Sequence, residues 1–204
     1  SIKLRKFIPV AAGMAGGSSD AAAAFVGVNR MFHLGLTEEQ LMERAVKVGA
    51  DVPYCIMRGT ALSEGIGEIL TELPAPPQCH LVIAKPQISV STKAVYGKLR
   101  VNELAPEEHP DIDGMIRALS AGDLGGVAAR LCNVFEEFLP EEYHEVFHIK
   151  NRLLELGALN AAMSGSGPTV FGIFREETAA KAAETALKQC YPQTYLAKPV
   201  GELV

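Results

Sequence analysis

The most informative part of the 204-residue chain is a glycine-rich run near its start, Pro9-Val10-Ala11-Ala12-Gly13-Met14-Ala15-Gly16-Gly17-Ser18-Ser19. Ser18, Ser19 and Asp20 lead into an alanine run, and this order predicts the start of a helix that continues to about Phe32. Glycines let the backbone approach a ligand closely, and a helix start presents free N–H groups at the positive end of its dipole. The run therefore predicts an anion-binding loop suited to phosphates.

Two common nucleotide-binding signatures do not fit this loop. No Gly-Lys-Ser/Thr ends it as in a Walker A loop, and the Gly-x-Gly-x-x-Gly spacing fails because position 11 is alanine. The alternative to phosphate binding is a helix start that simply needs small residues, but two glycines followed by two serines favour phosphate. The Ser18 and Ser19 hydroxyls are placed to reach a phosphate or a phosphate-bound Mg²⁺.

A second candidate is Asp51, which follows a predicted helix. Thr37-Glu38-Glu39-Gln40 has the sequence of a capping box, and the helix it begins ends near Gly49. Pro53 predicts a turn over residues 50–53, followed by short strands over 54–71. A carboxylate held in this way could accept a hydroxyl proton during phosphoryl transfer. Spacing alone favours the alternative, a turn aspartate that caps its own backbone.

The rest of the chain alternates strands and helices, which indicates an α/β or α+β fold. The prolines at 74, 76 and 77 predict a boundary, with domains at 1–77 and 78–204. Strands are predicted at 80–84, 159–163, 169–174 and 194–200, and helices near 93–99, 111–119, 123–132, 141–156 and 176–189.

Further polar groups stand in the second half of the chain. Ser164-Gly165-Ser166-Gly167-Pro168-Thr169 is a second glycine-rich turn, and its sequence leaves three roles open: contact with a second phosphate, a brace for the first loop, or a plain strand-to-strand turn. Buried structural hydrogen bonds are the favoured role for Asn133, Glu136 and Glu137. Ser89, Ser91 and Thr92 form a polar loop that could touch a substrate.

Composition and charge exclude several classes of protein. Apolar residues make up 48% and charged residues 21%, so the chain is neither disordered nor a coiled coil. Its net charge of −5 gives no general attraction to nucleic acid or to an anionic membrane. Apolar runs fall short of the roughly 18 residues of a membrane span, and no signal peptide is visible. Four cysteines without metal-ligand spacing predict reduced thiols in a cytoplasmic protein, and no metal site is predicted.

The run from Pro9 to Ser19 resembles the ATP loop of the galactokinase, homoserine kinase, mevalonate kinase and phosphomevalonate kinase (GHMP) superfamily. Within that superfamily, one branch carries motifs that resemble Gly49-Ala50-Asp51-Val52-Pro53 and Met163 to Phe171, in the same order. The resemblance implies an α+β GHMP kinase fold, with an ATP domain like that of ribosomal protein S5, partial here, and a ferredoxin-like C-terminal domain. It implies that residues 9–19 wrap the ATP phosphates and that Asp51 is the catalytic carboxylate, which spacing alone did not favour.

The same branch is indicated by two further motifs, Gly59-Thr60-Ala61 and Gly65-Ile66-Gly67-Glu68. That branch implies Mg²⁺-dependent transfer of the ATP γ-phosphate to the 2-hydroxyl of 4-diphosphocytidyl-2-C-methyl-D-erythritol, with a homodimer as a possible assembly. A homoserine or mevalonate type of kinase, or a non-catalytic nucleotide-binding fragment, are the alternatives. Members of the branch carry a preceding segment with a lysine that this chain does not match, since Lys3 and Lys6 lie too close to the loop. The chain by itself is then expected to be an incomplete enzyme.

Overall fold

The computed structural model describes residues 1–89, 92–100, 103–105 and 109–200, without the side chains of residues 92–94 and 142. The chain divides into two units. The N-terminal unit contains residues 1–10 and 15–75, and the C-terminal unit contains residues 11–14 and 76–199. The second glycine-rich turn, residues 164–169, therefore belongs to the same unit as residues 11–14 of the first glycine-rich run.

Three helices and a hairpin make up the N-terminal unit: α1 (Gly16–Met31), α2 (Glu38–Ala45), α3 (Val52–Met57), β1 (Thr60–Glu64) and β2 (Ile69–Leu73). The two strands pair antiparallel. The helices share one apolar core, formed by Ala22, Leu41, Ala45, Val52 and Ile56. Burial of these small and branched side chains fixes the start of α3 on the same core as α1.

Side-chain hydrogen bonds fix the start of α2 and its connection to α1. The Thr37 hydroxyl accepts a hydrogen bond from the Gln40 N–H, and the Gln40 side chain accepts one from the Thr37 N–H, so the predicted capping box is present. The Asn29 amide bonds both the N–H and the C=O of Leu36, which ties the α1–α2 connection to α1. Helix α2 ends at Ala45, and Val48, three residues beyond it, is 64% exposed.

The turn predicted over residues 50–53 is confirmed only at residues 50 and 51, and the strands predicted over residues 54–71 begin only at Thr60, because helix α3 occupies Val52–Met57. Pro53 falls in the first turn of this helix, where its missing N–H breaks no helical bond. Burial of Val52, Pro53 and Ile56 outweighs the local breaker signal. Arg58 and Gly59, at φ +65° and +70°, then end the helix and lead into β1.

The C-terminal unit is a four-stranded antiparallel sheet covered by helices. Its elements are β3 (His80–Lys85), α4 (Thr92–Lys98), α5 (Ile112–Ser120), α6 (Leu124–Ala129), α7 (His144–Glu155), β4 (Asn160–Met163), β5 (Val170–Phe174), α8 (Glu177–Lys188) and β6 (Gln193–Ala197), with 3-10 turns at Val134–Phe138 and Glu141–Tyr143. The strand order is β4-β5-β3-β6. This order and the β-α-β-β-α-β succession are those of a ferredoxin-like fold, which confirms the expected α+β class.

Alternation along the strands divides the C-terminal core between the two faces of the sheet. Helices α7 and α8 pack on the face that carries Val82, Val170 and Phe174, and all three residues are fully buried. Helix α6 packs on the opposite face, against Leu81 and Ile173.

Two features are absent from the described parts of both units. None of the helices in these parts is long and apolar enough to cross a membrane. The same parts contain no cluster of three or more His, Cys, Asp or Glu side chains that could hold a metal ion.

Replacing Thr37 with alanine removes the side-chain acceptor at the start of α2. We expect this change to lower the free energy of unfolding of the N-terminal unit by about 1 kcal/mol. Hydrogen exchange of the α2 amides measures the loss, and Thr37→Ser, which retains the hydroxyl, is the matched control. Equal protection in the alanine variant and the wild type would mean that the cap does not stabilise α2.

Candidate functional site

The glycine-rich loop turns sharply just before α1. Ala11, Gly13 and Ala15 all have a positive φ, at +51°, +68° and +47°. For alanine this left-handed region costs about 1–2 kcal/mol, and such strain tends to gather at functional sites. The loop thus holds an unfavourable backbone path that leads directly into the first turn of α1.

The first turn of α1 offers unpaired backbone donors. The Ser19 N–H gives the first bond of the helix, to the Ala15 C=O at 2.8 Å. Within the described part of the chain, the N–H groups of Gly16, Gly17 and Ser18 have no protein acceptor. The helix begins two residues before Ser18, so both serines lie in its first turn rather than at its cap.

Lys6 ties the chain that precedes the loop to the first turn of α1. Its Nζ donates to the Gly16 C=O at 3.2 Å and forms an ion pair with Asp20. The Asp20 carboxylate is therefore engaged within the protein. The hydroxyls of Ser18 and Ser19 form no hydrogen bond with any described residue.

The second glycine-rich turn grips the loop at Gly13. The Ser164 Oγ donates to the Gly13 C=O at 2.8 Å, and a Cβ on Gly13 would stand 2.2 Å from the Ser164 carbonyl oxygen. The Ser164 N–H also bonds the Thr169 C=O at 2.8 Å, so the turn joins β4 to β5. Of the roles that the sequence left open, the strand-to-strand turn and the brace are therefore both present.

Asp51 stands at the start of α3, and its side chain forms no hydrogen bond or ion pair with any described residue. Its C=O accepts the Cys55 N–H at 3.2 Å, and the buried Val52 and Pro53 fix the backbone that follows it. Its carboxylate is exposed and caps no N–H group of the helix. The alternative of a turn aspartate that caps its own backbone is therefore wrong.

The charge of Asp51 reaches a neighbouring thiol. Burial raises the pKa of the Cys55 thiol, and the negative charge of Asp51 raises that pKa further. Cys55 is half-buried one helical turn after Asp51. The thiol can therefore serve as an internal probe of the ionised carboxylate.

The predicted polar loop after β3 is only partly described. Ser91 and the Thr92 side chain lie outside the described residues, and Ser89 is exposed. Sequence reasoning did not single out Lys85, which is 9% exposed and donates to the carbonyls of Pro86 and Ile88 at 3.1 and 3.2 Å. A lone lysine beside a proline carries no spacing signal that predicts its burial or its bonds to these two carbonyls.

Comparison with known families agrees with the motifs. Residues 1–59 match the family described as "GHMP kinases N terminal domain", and residues 105–193 match "GHMP kinases C terminal". A relative from Geobacillus sp. strain WCH70, named 4-diphosphocytidyl-2-C-methyl-D-erythritol kinase, is 44% identical over 202 residues. The match covers 99% of this chain and 69% of the relative. The chain belongs to the 4-diphosphocytidyl-2-C-methyl-D-erythritol kinase family.

Other relatives of the same name are more similar in sequence. A kinase of Lachnospira eligens is 55% identical over 188 residues, which cover 92% of this chain and 65% of that protein. A kinase of Lachnoclostridium phytofermentans is 54% identical over 182 residues, 89% of this chain and 62% of that protein. The chain thus spans a little under two thirds of the length of these two relatives.

Solved structures agree with the fold of this kinase family. A crystal structure of 4-(cytidine 5'-diphospho)-2C-methyl-D-erythritol kinase superposes with a TM-score of 0.81 at 28% identity, covering 97% of this chain and 70% of that one. A homoserine kinase from Cytophaga hutchinsonii superposes with a TM-score of 0.79 at 19% identity, over 96% of this chain and 68% of that one. The second likeness concerns the fold alone.

Replacing Gly13 with alanine should displace the loop from the second glycine-rich turn. The added Cβ meets the Ser164 carbonyl oxygen, and the positive φ of position 13 also disfavours alanine. We expect the backbone amide resonances of Ser164 and Gly167 to shift. Gly17→Ala is the matched control, because a Cβ at position 17 would point into open space. Unchanged Ser164 and Gly167 resonances in the Gly13 variant would contradict the close packing.

The Asp51→Asn variant should lower the pKa of the Cys55 thiol, because it removes a nearby negative charge that disfavours the thiolate. Alkylation of the peptide containing Cys55, followed by mass spectrometry against pH, should then have its midpoint at a lower pH. Cys79 is the internal control, since burial alone raises its pKa. An unmoved Cys55 profile would mean that the charge of Asp51 does not act on the thiol.

Proposed function

We propose that the protein is an ATP-dependent kinase that phosphorylates the 2-hydroxyl of 4-diphosphocytidyl-2-C-methyl-D-erythritol. The observation that carries the proposal is that one apolar core holds the starts of both α1 and α3. The first N–H groups of α1 have no acceptor among the described residues, and the Asp51 carboxylate caps no N–H group of α3. Ala22 of α1 and Val52 and Ile56 of α3 belong to the same apolar cluster. In the proposed roles, residues 1–77 form the ATP-binding part and residues 78–204 the substrate-side part.

The ATP phosphates are assigned to the run from Pro9 to Ser19. The free N–H groups of Gly16, Gly17 and Ser18 point out of the positive end of the α1 dipole, which suits an anion. Donors that are already oriented stabilise the charge that develops on the transferred phosphoryl group without reorganisation. The strained path through Ala11, Gly13 and Ala15 fits a backbone that must curve around a ligand.

Asp51 is assigned the acceptor or orienting role for the hydroxyl proton. In phosphoryl transfer a carboxylate beside the attacking hydroxyl accepts its proton as the bond to phosphorus forms. Because the Asp51 carboxylate has no capping bond within α3, no bond to that helix must break before it meets a substrate. Asp20 suits this role less well, because Lys6 already neutralises it.

Mg²⁺ is expected to arrive with ATP and to be held mainly by the phosphates. Such ions keep several waters and use few protein ligands, so the lack of an acidic cluster in the described residues is compatible with them. The hydroxyls of Ser18 and Ser19 are the groups of this chain that fit the ion or its phosphates. When bound, Mg²⁺ neutralises charge that develops on the phosphates.

The substrate proposal rests on family membership. The matched relatives carry the name of this kinase, and a crystal structure of a kinase of the same name is 28% identical to this chain. Homoserine or mevalonate as the acceptor is the competing choice within the same fold. A cytoplasmic location belongs to the proposal, and a homodimer stays a prediction from the sequence.

A coupled ADP-release assay on the complete product of the gene tests the substrate. We expect turnover with 4-diphosphocytidyl-2-C-methyl-D-erythritol and at most background release with homoserine or mevalonate. Turnover with one of the latter two would replace the substrate but keep the kinase. ATP binding without release of ADP on any acceptor would favour a nucleotide-binding protein without kinase activity.

In the same assay, Asp51→Asn should lower kcat by about a hundredfold or more, because it removes the proton acceptor. The affinity for ATP should change little, since the phosphate donors of α1 are untouched. Asp113→Asn, at an exposed aspartate in the first turn of α5, is the matched control. Near-normal turnover in the Asp51 variant would remove this residue from the mechanism.

A further inference from the structure

The outer edge of β4 is covered by side chains instead of a strand. β4 is the end strand of the sheet, and its last residue, Met163, stands opposite Val170 of β5. The Met163 N–H donates to the Glu136 Oε1 at 2.7 Å, and the Met163 C=O accepts from the Asn133 Nδ2 at 2.7 Å. Asn133 and Glu136 thus bond both backbone groups of this one edge residue, as a neighbouring strand would.

Glu136 is a buried carboxylate with both oxygens engaged. Its side chain is 7% exposed, and its second oxygen pairs with the Lys150 Nζ from α7. A buried charge is costly unless it is paired and hydrogen-bonded, so this geometry tolerates little movement. Glu136 is therefore a rigid anchor for the end of β4.

Asn133 also forms a hydrogen bond with the second glycine-rich turn. Its Nδ2 also donates to the Gly165 C=O at 2.8 Å, while its Oδ1 accepts the Phe135 N–H at 3.0 Å. One amide therefore holds the residues on either side of Ser164. Ser164 in turn donates to the C=O of Gly13. Gly13 belongs to the glycine-rich run of residues 9–19, the proposed phosphate loop.

We propose that Asn133 and Glu136 are positioning residues for the phosphate loop. They set the position of Ser164 through Met163 and Gly165, and Ser164 sets the position of Gly13. The inference rests on the proposed function, because its consequence is a change in the affinity for ATP. A purely structural role would stabilise the sheet edge and leave the affinity for ATP unchanged.

Asn133→Asp separates the two jobs of this side chain. The aspartate still accepts the Phe135 N–H, so the start of the 3-10 turn is kept, but it cannot donate to the carbonyls of Met163 and Gly165. We expect the KM for ATP to rise about tenfold with kcat within about twofold, because the loop is displaced while the chemical groups remain. A variant that is merely less stable would instead lower the active fraction and leave KM unchanged.

Glu136→Gln is the conservative companion variant. The glutamine can still accept the Met163 N–H, so its effect on the KM for ATP should be smaller than that of Glu136→Ala. Glu137→Gln is the matched control, because Glu137 is the exposed neighbour in the same turn. A KM that rises equally in the glutamine and alanine variants of Glu136 would contradict the hydrogen-bond argument.

A double-mutant cycle tests whether the effect passes through Ser164. If Asn133 acts by way of the Ser164–Gly13 bond, Asn133→Asp should add little to the rise in KM already caused by Ser164→Ala. Effects of the two changes that simply multiply would overturn the proposed route. Thermal unfolding of each variant shows whether it is folded at the assay temperature.

Binding of a non-hydrolysable ATP analogue to the complete gene product distinguishes failure of this inference from failure of the proposed function. If the analogue binds the wild type and binds the Asn133→Asp variant about tenfold more weakly, the positioning role stands even where the proposed acceptor is not phosphorylated. If both bind it equally, the positioning role is wrong while the kinase remains. If the wild type does not bind the analogue, both proposals are overturned.

Discussion

The contact between Gly13 and Ser164 is the constraint on which the candidate site depends. A hydrogen bond of 2.8 Å joins the two residues, and only a glycine fits at position 13 because any Cβ would meet the Ser164 carbonyl. From Gly13 the chain needs two residues to enter α1. Gly13 is therefore held at the end of the β-sheet of its own unit.

Two carboxylates of the chain illustrate how environment separates roles. Glu136 is buried, paired with Lys150 and bonded to a backbone N–H, so it supports structure. Asp51 is exposed and caps nothing in its own helix, so it remains available to a substrate. The same chemical group thus provides an anchor in one unit and a candidate proton acceptor in the other.

Sequence predicted the parts that depend on neighbours along the chain. The capping box at Thr37 is a local signal and is present, and α1 follows the loop as expected, although it begins at Gly16, before Ser18, and has no side-chain cap. The local sequence does not predict helix α3, because Pro53 is typical of a helix breaker. Burial of Val52 and Ile56 nevertheless favours a helix there. The Gly13–Ser164 bond joins residues 151 positions apart, which no spacing rule reveals. The role proposed for Asp51 comes from family resemblance rather than from its surroundings in the sequence.

The central claim is that the start of α1 binds the phosphates of ATP. Amide resonances of the complete, ¹⁵N-labelled gene product, titrated with Mg-ATP and separately with adenosine, test it most directly. The account predicts that the resonances of Gly16, Gly17 and Ser18 shift with Mg-ATP and hardly move with adenosine. It would be contradicted if Mg-ATP bound without moving these three resonances, or if adenosine moved them as far.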